Sequence, residues 1–230
     1  MDYSRAMDYT KAIDTIDLKA VLFDLDDTML DRMKTFSLYC DYLINEVFPQ
    51  NLSDAQKSEA KEFMVLNDRH GYEDRETLYQ KVIRKWGLSC GTKYLIDGWY
   101  NNLDKLAAPE NGLFDILEYL AMKYKLGLVT NGLISVQNSK ISALGIKDYF
   151  QAIIISEAVG VNKPNNGIFL LACKKLGVEA AQSVFIGDSF ENDVHGAVQA
   201  GLSAIWMDKS NSDKEYPYKI RSLMELKEIL

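Results

Sequence analysis

The sequence predicts an α/β fold, a Rossmann-like parallel sheet core with an inserted all-helical segment. From residue 111 onward, short apolar runs alternate with amphipathic stretches of about ten residues, which is typical of βαβ units. A similar apolar run at 20–23 comes before a long stretch, 30–106, with helical periodicity and almost no strand signal. Because run 20–23 belongs to the same sheet, we expect the helical stretch to be an insertion after the first strand.

Composition and charge limit the classes of function. The chain has 230 residues, of which 47% are hydrophobic and 26% charged, and this suits one large domain or one domain carrying an insertion. Its net charge is -7 and no basic stripe stands out, so we expect no nucleic-acid polymer as a partner. We also expect no membrane partner, because no apolar run reaches transmembrane length and the N-terminal residues do not resemble a signal peptide. Cys40, Cys90 and Cys173 are scattered without metal-type spacing, which favours reduced thiols and a cytoplasmic location.

The first strand and the insertion come first in the chain. The run AVLF at 20–23 predicts a buried strand, and an acidic cluster follows it directly. Within the insertion, Ser53 is a candidate N-cap, and Gly71 and Gly87 mark helix ends. Aromatic residues recur there and predict a small helical core. The expected helices of the insertion are 35–47, 53–67, 74–85 and 92–104.

The second part of the chain supplies the remaining strands and the helices between them. Gly145, Gly177 and Gly201 mark the ends of three of these helices. The expected strands are 125–129, 152–155, 183–186 and 203–207, and the expected helices are 112–123, 135–144, 165–176, 191–200 and 220–229. We therefore predict an α/β core domain of residues 18–29 and 109–230, a helical domain of residues 30–108 and an N-terminal tail of residues 1–17.

Polar residues stand where the strands end or just before the next helix. They are Asp24, Asp26, Thr130, Asn131, Lys163, Asp188 and, one helical turn further, Asp193. Parallel strands bring such groups to one edge of the sheet. A nucleophile, an acid/base, a cation and metal-binding carboxylates would then meet there, which is the set of groups that phosphoryl transfer requires.

Each of these signals also has a simpler explanation when it is taken alone. The acidic residues of 24–27 are compatible with a solvated turn after a strand. Lys163 stands before Pro164 as at many helix starts, and Thr130 and Asn131 could form only a turn. Asp193 could simply interact with a helix dipole. Their joint occurrence, in order and at the ends of the right elements, favours the functional interpretation.

The motifs resemble those of the haloacid dehalogenase superfamily of phosphotransferases. Residues 24–28 (DLDDT) fit its first motif, DxDxT. Residues 130–131 (TN), 163–164 (KP) and 187–193 (GDSFEND) fit the second, third and fourth motifs in the right order. The helical insertion resembles the C1 cap of subclass I of that superfamily.

The resemblance implies a role for each motif residue. Asp24 would attack phosphorus and form an aspartyl phosphate, and Asp26 would act as general acid and base. We expect crowding by Asp24 and Asp188 to raise the pKa of Asp26. Mg²⁺ would be bound by the Asp24 carboxylate, the Asp26 backbone carbonyl and the Asp188 carboxylate.

The remaining motif residues would assist. The Thr130 hydroxyl and the Asn131 backbone N–H would hold phosphate oxygens, and Lys163 would neutralise charge on the nucleophile and on the phosphoryl group. Asp193 would act outside the metal shell or orient Lys163. Thr28 would fix the loop.

Position 26 and its neighbours distinguish branches of the superfamily. Dehalogenases and phosphonatases that resemble this fold lack an acid at the position of Asp26, so ester hydrolysis or a phosphomutase activity remains. The sequence DLDDT is closer to the pyrimidine 5'-nucleotidase and N-acylneuraminate-9-phosphatase branch than to the mutases. We therefore expect a Mg²⁺-dependent phosphatase acting on a small phosphorylated substrate, a nucleoside monophosphate or a sugar phosphate. The alternatives are a phosphomutase and a catalytically silent binding protein.

Four residues of the insertion could contact the leaving group. They are Arg32, Arg69, His70 and Tyr72. For each of them, however, a surface or packing role is favoured over contact with the substrate.

Overall fold

Six parallel strands form the central sheet, in the order β3-β2-β1-β4-β5-β6. A computed structural model describes residues 13, 15–71, 73–210 and 212–230, so that most of the predicted tail 1–17 lies outside the described residues. The strands are β1 Ala20–Phe23, β2 Lys125–Thr130, β3 Ala152–Ile155, β4 Ser183–Gly187, β5 Ser203–Met207 and β6 Lys219–Ile220. After β1 the chain adds β2 and β3 on one side, then β4 to β6 on the other. The strand order therefore reverses beside β1, and in open α/β sheets such a switch point is where ligands bind.

Helices surround the sheet and make up the insertion. Those of the insertion are α1 Arg32–Val47, α2 Asp54–Asp68, α3 Arg75–Trp86, α4 Thr92–Asn101 and α5 Leu103–Leu106. Those of the α/β part are α6 Leu113–Ala121, α7 Ile134–Leu144, α8 Ser156–Val159, α9 Asn166–Leu176, α10 Gly196–Gln199 and α11 Leu226–Ile229. The predicted α/β fold class with a helical insertion is thus confirmed.

Three apolar cores hold these layers together. Side chains alternate across β1, so Val21 and Phe23 pack into one core while Ala20 and Leu22 pack into another on the opposite face. The buried residues of a third core all belong to the insertion, between Phe36 and Leu103, and Val136 of helix α7 packs against it. The two connections of the insertion lie side by side, since the Asp31 N–H donates to the Ala108 carbonyl at 2.9 Å. The domain boundaries at 29/30 and 108/109 stay a prediction.

Several predicted elements differ from the structure. The expected helix 92–104 is interrupted at Asn102, where the backbone leaves helical geometry (φ -114°, ψ 3°) and the side-chain amide donates to the Gly98 carbonyl. The expected helix 220–229 was wrong at its start, because Lys219–Ile220 pairs with β5 as an edge strand and buries Ile220. The expected helix 191–200 begins instead as a π-helical segment, Phe190–His195.

None of the helices in the described part of the chain is both long and apolar enough to cross a membrane.

Candidate active site

The motif residues meet at the carboxyl edge of the sheet, beside the switch point. Asp24 and Asp26 follow β1, Thr130 ends β2 and Asp188 follows β4. All of them line one cavity of about 610 Å³, together with Asn131, Lys163 and Asp193. Residues of the helical insertion also line this cavity. The sequence therefore predicted correctly which residues come together.

Lys163 joins two carboxylates at the bottom of the cavity. Its Nζ lies 2.6 Å from Asp24 Oδ1 and 2.6 Å from Asp193 Oδ1. The ammonium group is buried, with only 3% of the side chain exposed. Burial alone would lower the pKa of Lys163, but Asp193 and Asp24 outweigh it and raise that pKa above its usual range. The lysine is therefore a fixed positive charge beside Asp24.

Three carboxylates converge around this single ammonium group. Oxygen atoms of Asp24, Asp188 and Asp193 lie within 4.8 Å of one another. Burial, together with repulsion from Asp193, raises the pKa of Asp24 to about 7 despite the nearby Lys163. Burial, with repulsion from Asp24 and Asp193, raises the pKa of Asp188 to about 8. When all three carboxylates are ionised, they carry more negative charge than Lys163 balances, and their oxygen donors fit a hard divalent cation such as Mg²⁺.

Gly187 at the end of β4 lets Asp193 approach the cluster. A methyl group added at Gly187 would lie 2.4 Å from the carboxylate carbon of Asp193, closer than any real side-chain contact. The Asp193 side chain is fully buried and its Oδ2 accepts the Ser189 N–H at 2.9 Å. Its contact with Lys163 accords with the predicted orienting role.

The expected environment of Asp26 was wrong. Its carboxylate points to helix α7, where Lys140 Nζ lies 2.7 Å from each of its two oxygens. Gln137 Nε2 donates to Asp26 Oδ2 at 3.1 Å. Burial favours the protonated carboxyl, but Lys140 and Gln137 outweigh burial and lower the pKa of Asp26. The predicted upward shift fails because this lysine, rather than neighbouring carboxylates, dominates the surroundings of Asp26.

Sequence reasoning missed Gln137 and Lys140. Gln137 Nε2 also donates to Thr130 Oγ1 at 2.6 Å, so it links the second motif to Asp26. Both side chains are buried, and they lie on the same face of α7 as Ile141 and Leu144. Two polar residues at core positions of an amphipathic helix are the signal that could have identified them.

The side chains of two further motif residues, Asn131 and Thr28, differ in their hydrogen bonding. The Asn131 side chain brackets the backbone of Lys163, accepting its N–H at 2.8 Å and donating to its carbonyl at 3.1 Å. Thr28 is fully buried, and its Oγ1 has no hydrogen-bond partner among the residues that the structure describes. The Thr28 backbone N–H donates to the Leu25 carbonyl at 3.4 Å, and the expectation that Thr28 fixes the loop stays a prediction.

The insertion contributes Arg32 and Arg75 to the cavity wall. Arg32 was among the predicted leaving-group contacts, whereas Arg75 was not. Arg69 is exposed and does not line the cavity. Tyr72 and the side chain of His70 lie outside the described residues.

Comparison with known proteins identifies the family of this chain. Residues 21–207 match the family described as haloacid dehalogenase-like hydrolase. A glyceraldehyde 3-phosphate phosphatase of Methanopyrus kandleri is 30% identical over 82% of this chain and 83% of its own. The pyrimidine 5'-nucleotidase YjjG of Escherichia coli is 31% identical over 59% of this chain and 63% of its own.

A solved structure shows the same architecture. The putative HAD-hydrolase YfnB of Bacillus subtilis, in a crystal structure bound to magnesium, has a TM-score of 0.72 and 27% sequence identity over 93% of this chain and 98% of its own. The match of motifs, fold and sequence shows that this chain is a member of the haloacid dehalogenase-like hydrolase family.

Proposed function

We propose that the protein is a Mg²⁺-dependent phosphomonoester hydrolase that works through an aspartyl phosphate on Asp24. The observation that carries the proposal is the Asp24–Lys163–Asp193 contact beside Asp188, at the edge of the sheet where parallel α/β folds bind ligands. The relatives named as a glyceraldehyde 3-phosphate phosphatase and a pyrimidine 5'-nucleotidase support phosphate-ester chemistry. A small sugar phosphate or a nucleoside monophosphate is accordingly the proposed substrate.

Asp24 is the proposed nucleophile. Its Oδ1 is held by Lys163, which leaves Oδ2 for attack on phosphorus or for a metal ion. In the first step an Asp24 oxygen forms a bond to phosphorus while the bond to the leaving oxygen breaks. In the second step water attacks the same phosphorus and releases inorganic phosphate and the Asp24 carboxylate.

Asp26 is the proposed proton carrier. Its ionised carboxylate is the form that accepts a proton from the attacking water in the second step. Donation to the leaving oxygen in the first step requires the same carboxyl to have received a proton. The proton taken from water in one turnover is therefore available to the leaving group in the next.

The carboxylates of Asp24 and Asp188 and the backbone carbonyl of Asp26 are the proposed Mg²⁺ ligands. Bound there, Mg²⁺ would neutralise negative charge on the phosphoryl oxygens. Lys163 supplies a fixed positive charge beside Asp24, and the Thr130 hydroxyl and Asn131 backbone N–H are the proposed phosphate contacts.

The test is hydrolysis of p-nitrophenyl phosphate and of a panel of sugar phosphates and nucleoside monophosphates, with Mg²⁺ and with EDTA. We expect release of inorganic phosphate that requires Mg²⁺ and that Asp24→Asn abolishes. Full activity in EDTA, or no hydrolysis of any ester with Mg²⁺, would contradict the proposal. A phosphomutase would instead transfer the group to a second hydroxyl without releasing inorganic phosphate.

A further inference from the structure

The part of the cavity lining that comes from the insertion includes two arginines, and both contact one carboxylate. Asp68 accepts from Arg32 Nη1 at 2.7 Å and Nη2 at 3.1 Å, and from Arg75 Nη1 at 2.6 Å. The Asp68 side chain is fully buried, whereas 10% of the Arg32 side chain and 15% of the Arg75 side chain are exposed. We refer to Arg32, Asp68 and Arg75 as the arginine cluster.

The arginine cluster has an excess of positive charge and of hydrogen-bond donors. Burial favours a protonated Asp68, but hydrogen bonds from Arg32 and the charge of Arg75 outweigh it and lower the pKa of this carboxyl. Two guanidinium cations thus meet one carboxylate. A guanidinium carries more N–H groups than these contacts with Asp68 use, so further N–H groups of both arginines remain for a ligand.

The Arg75 guanidinium is held in one orientation. Its central carbon lies 4.6 Å from the ring centroid of Phe36 and 4.7 Å from that of Trp99. The contacts with these two rings and the hydrogen bond to Asp68 hold the guanidinium in place before any ligand arrives. A preorganised guanidinium loses little freedom on binding and suits recognition of a carboxylate or phosphate.

Two other carboxylates on the same wall are engaged in local contacts. Glu73 Oε2 accepts from Lys81 Nζ at 2.6 Å. Asp74 Oδ1 accepts the Thr77 N–H at 2.8 Å and caps helix α3. Arg32 donates to Asp68 through two nitrogen atoms, whereas Arg75 donates through one. More N–H groups of Arg75 therefore remain for a ligand.

We propose that Arg75, oriented by Asp68 and Arg32, binds a second anionic group on the substrate, so that the leaving group carries a carboxylate or a further phosphate. This inference rests on the proposed phosphatase function and narrows its substrate class to esters with a second anionic group. It excludes nucleoside monophosphates, because their leaving nucleoside is uncharged. Arg75 and the nucleophile Asp24 line the same cavity of about 610 Å³, which suits a small metabolite with an anionic group at each end. An ester with an uncharged leaving group would offer Arg75 no second anion to bind.

The experiment compares matched esters that differ in the second anionic group. The carboxylate arm is 3-phosphoglycerate against glycerol 3-phosphate, and the phosphate arm is fructose 1,6-bisphosphate against fructose 6-phosphate. In at least one arm we expect the wild-type protein with Mg²⁺ to favour the doubly anionic ester in kcat/KM by about tenfold or more. The arm that shows the preference identifies the kind of anion.

Variants of helix α3 then test whether Arg75 causes the preference for the doubly anionic ester. Arg75→Met, which keeps an apolar chain against Phe36 and Trp99, should reduce the ratio between the two esters about tenfold, mainly through KM. Arg75→Lys should restore part of that ratio, because charge returns without the planar fork. The matched control is Arg84→Met, at an exposed position of the same helix, and it should leave the ratio unchanged.

Two results would overturn the inference. One is a wild-type protein without preference in either arm, and the other is an Arg75→Met variant that keeps the wild-type ratio. Hydrolysis of p-nitrophenyl phosphate distinguishes either of these results from a failure of the proposed phosphatase function. If the wild-type protein hydrolyses it with Mg²⁺ but shows no preference between the matched esters, only the substrate class is wrong.

Discussion

At the residue scale, the pairing of Asp26 with helix α7 bears most on the chemistry. Lys140 reaches both oxygens of the carboxylate, and Gln137 connects it to Thr130. Because the contacts come from side chains held at core positions of one helix, they fix where the Asp26 carboxylate points. A proton carrier acts only when it is held within reach of the reacting oxygen.

Replacing Lys140 tests this positioning. Lys140→Met should reduce kcat/KM by about a hundredfold or more for an alkyl ester such as glycerol 3-phosphate, whose leaving group needs a proton. The loss should be much smaller for p-nitrophenyl phosphate, whose leaving group departs without one. Lys147→Met, at an exposed position just after the same helix, is the control. Equal losses on both esters would mean that Lys140 does not act through Asp26.

Gly187 offers a second test at this scale. Gly187→Ala forces the Asp193 carboxylate away, because the new methyl group would lie 2.4 Å from it, and Lys163 then loses one of its two carboxylate partners. We expect kcat to fall about a hundredfold, as displacement of a catalytic group by about 1 Å does. Steady-state kinetics with p-nitrophenyl phosphate measures kcat. The control is Gly91→Ala, because a methyl group added at Gly91 meets nothing within 4 Å. Wild-type kcat in Gly187→Ala would refute the positioning of Lys163 by Asp193.

At the element scale, a local capping signal predicted the start of α2 well. Ser53 caps α2 in a capping box with Gln56, in which the Gln56 N–H reaches Ser53 Oγ at 3.3 Å and the Ser53 N–H reaches Gln56 Oε1 at 2.9 Å. Ser53→Ala should lower the free energy of unfolding by about 1 kcal/mol, because it leaves helix N–H groups without an acceptor. Urea unfolding measures this, and Ser58→Ala within the same helix serves as comparison. An unchanged unfolding midpoint for Ser53→Ala would contradict the capping assignment.

Elements whose form depends on distant neighbours could not be predicted in the same way. Strand β6 has two residues, and it forms because β5 offers an open edge at Trp206 and Met207. The break at Asn102 depends on one side-chain amide that competes for a helix carbonyl. Likewise, the positions of Asp24 and Asp188 followed from strand ends and that of Lys163 from the start of a helix. Arg75, in contrast, contacts Asp68 only through the packing of the insertion helices.

At the scale of the whole molecule, the carboxylates of Asp24 and Asp188 should link stability to pH. In an unfolded chain an aspartate titrates near ~3.9, whereas the pKa values of Asp24 and Asp188 are raised to about 7 and about 8. In the pH range between the pKa of an unfolded aspartate and the raised pKa of Asp188, the folded protein without metal therefore binds more protons than the unfolded chain. Its free energy of unfolding should fall as pH rises from about 4 to about 8.

Mg²⁺ should offset this loss, since it stabilises the ionised carboxylates. We expect the difference in Tm between samples with Mg²⁺ and samples with EDTA to be small at pH 5 and to grow toward pH 8. Thermal unfolding followed by circular dichroism gives this difference, and Asp188→Asn should reduce it. A difference that is the same at both pH values would show that these carboxylates do not bind the ion.

The most direct measurement of the central claim is the trapping of phosphate on Asp24. In Asp26→Asn, p-nitrophenyl phosphate still has a leaving group that departs unaided, while the water step loses its base, so the intermediate should accumulate. With Mg²⁺ we expect a burst of about one p-nitrophenol per protein molecule. Acid quenching, borohydride reduction and peptide mass spectrometry should then locate the modification at Asp24. A burst without modification of Asp24, or modification of a different residue, would contradict the account.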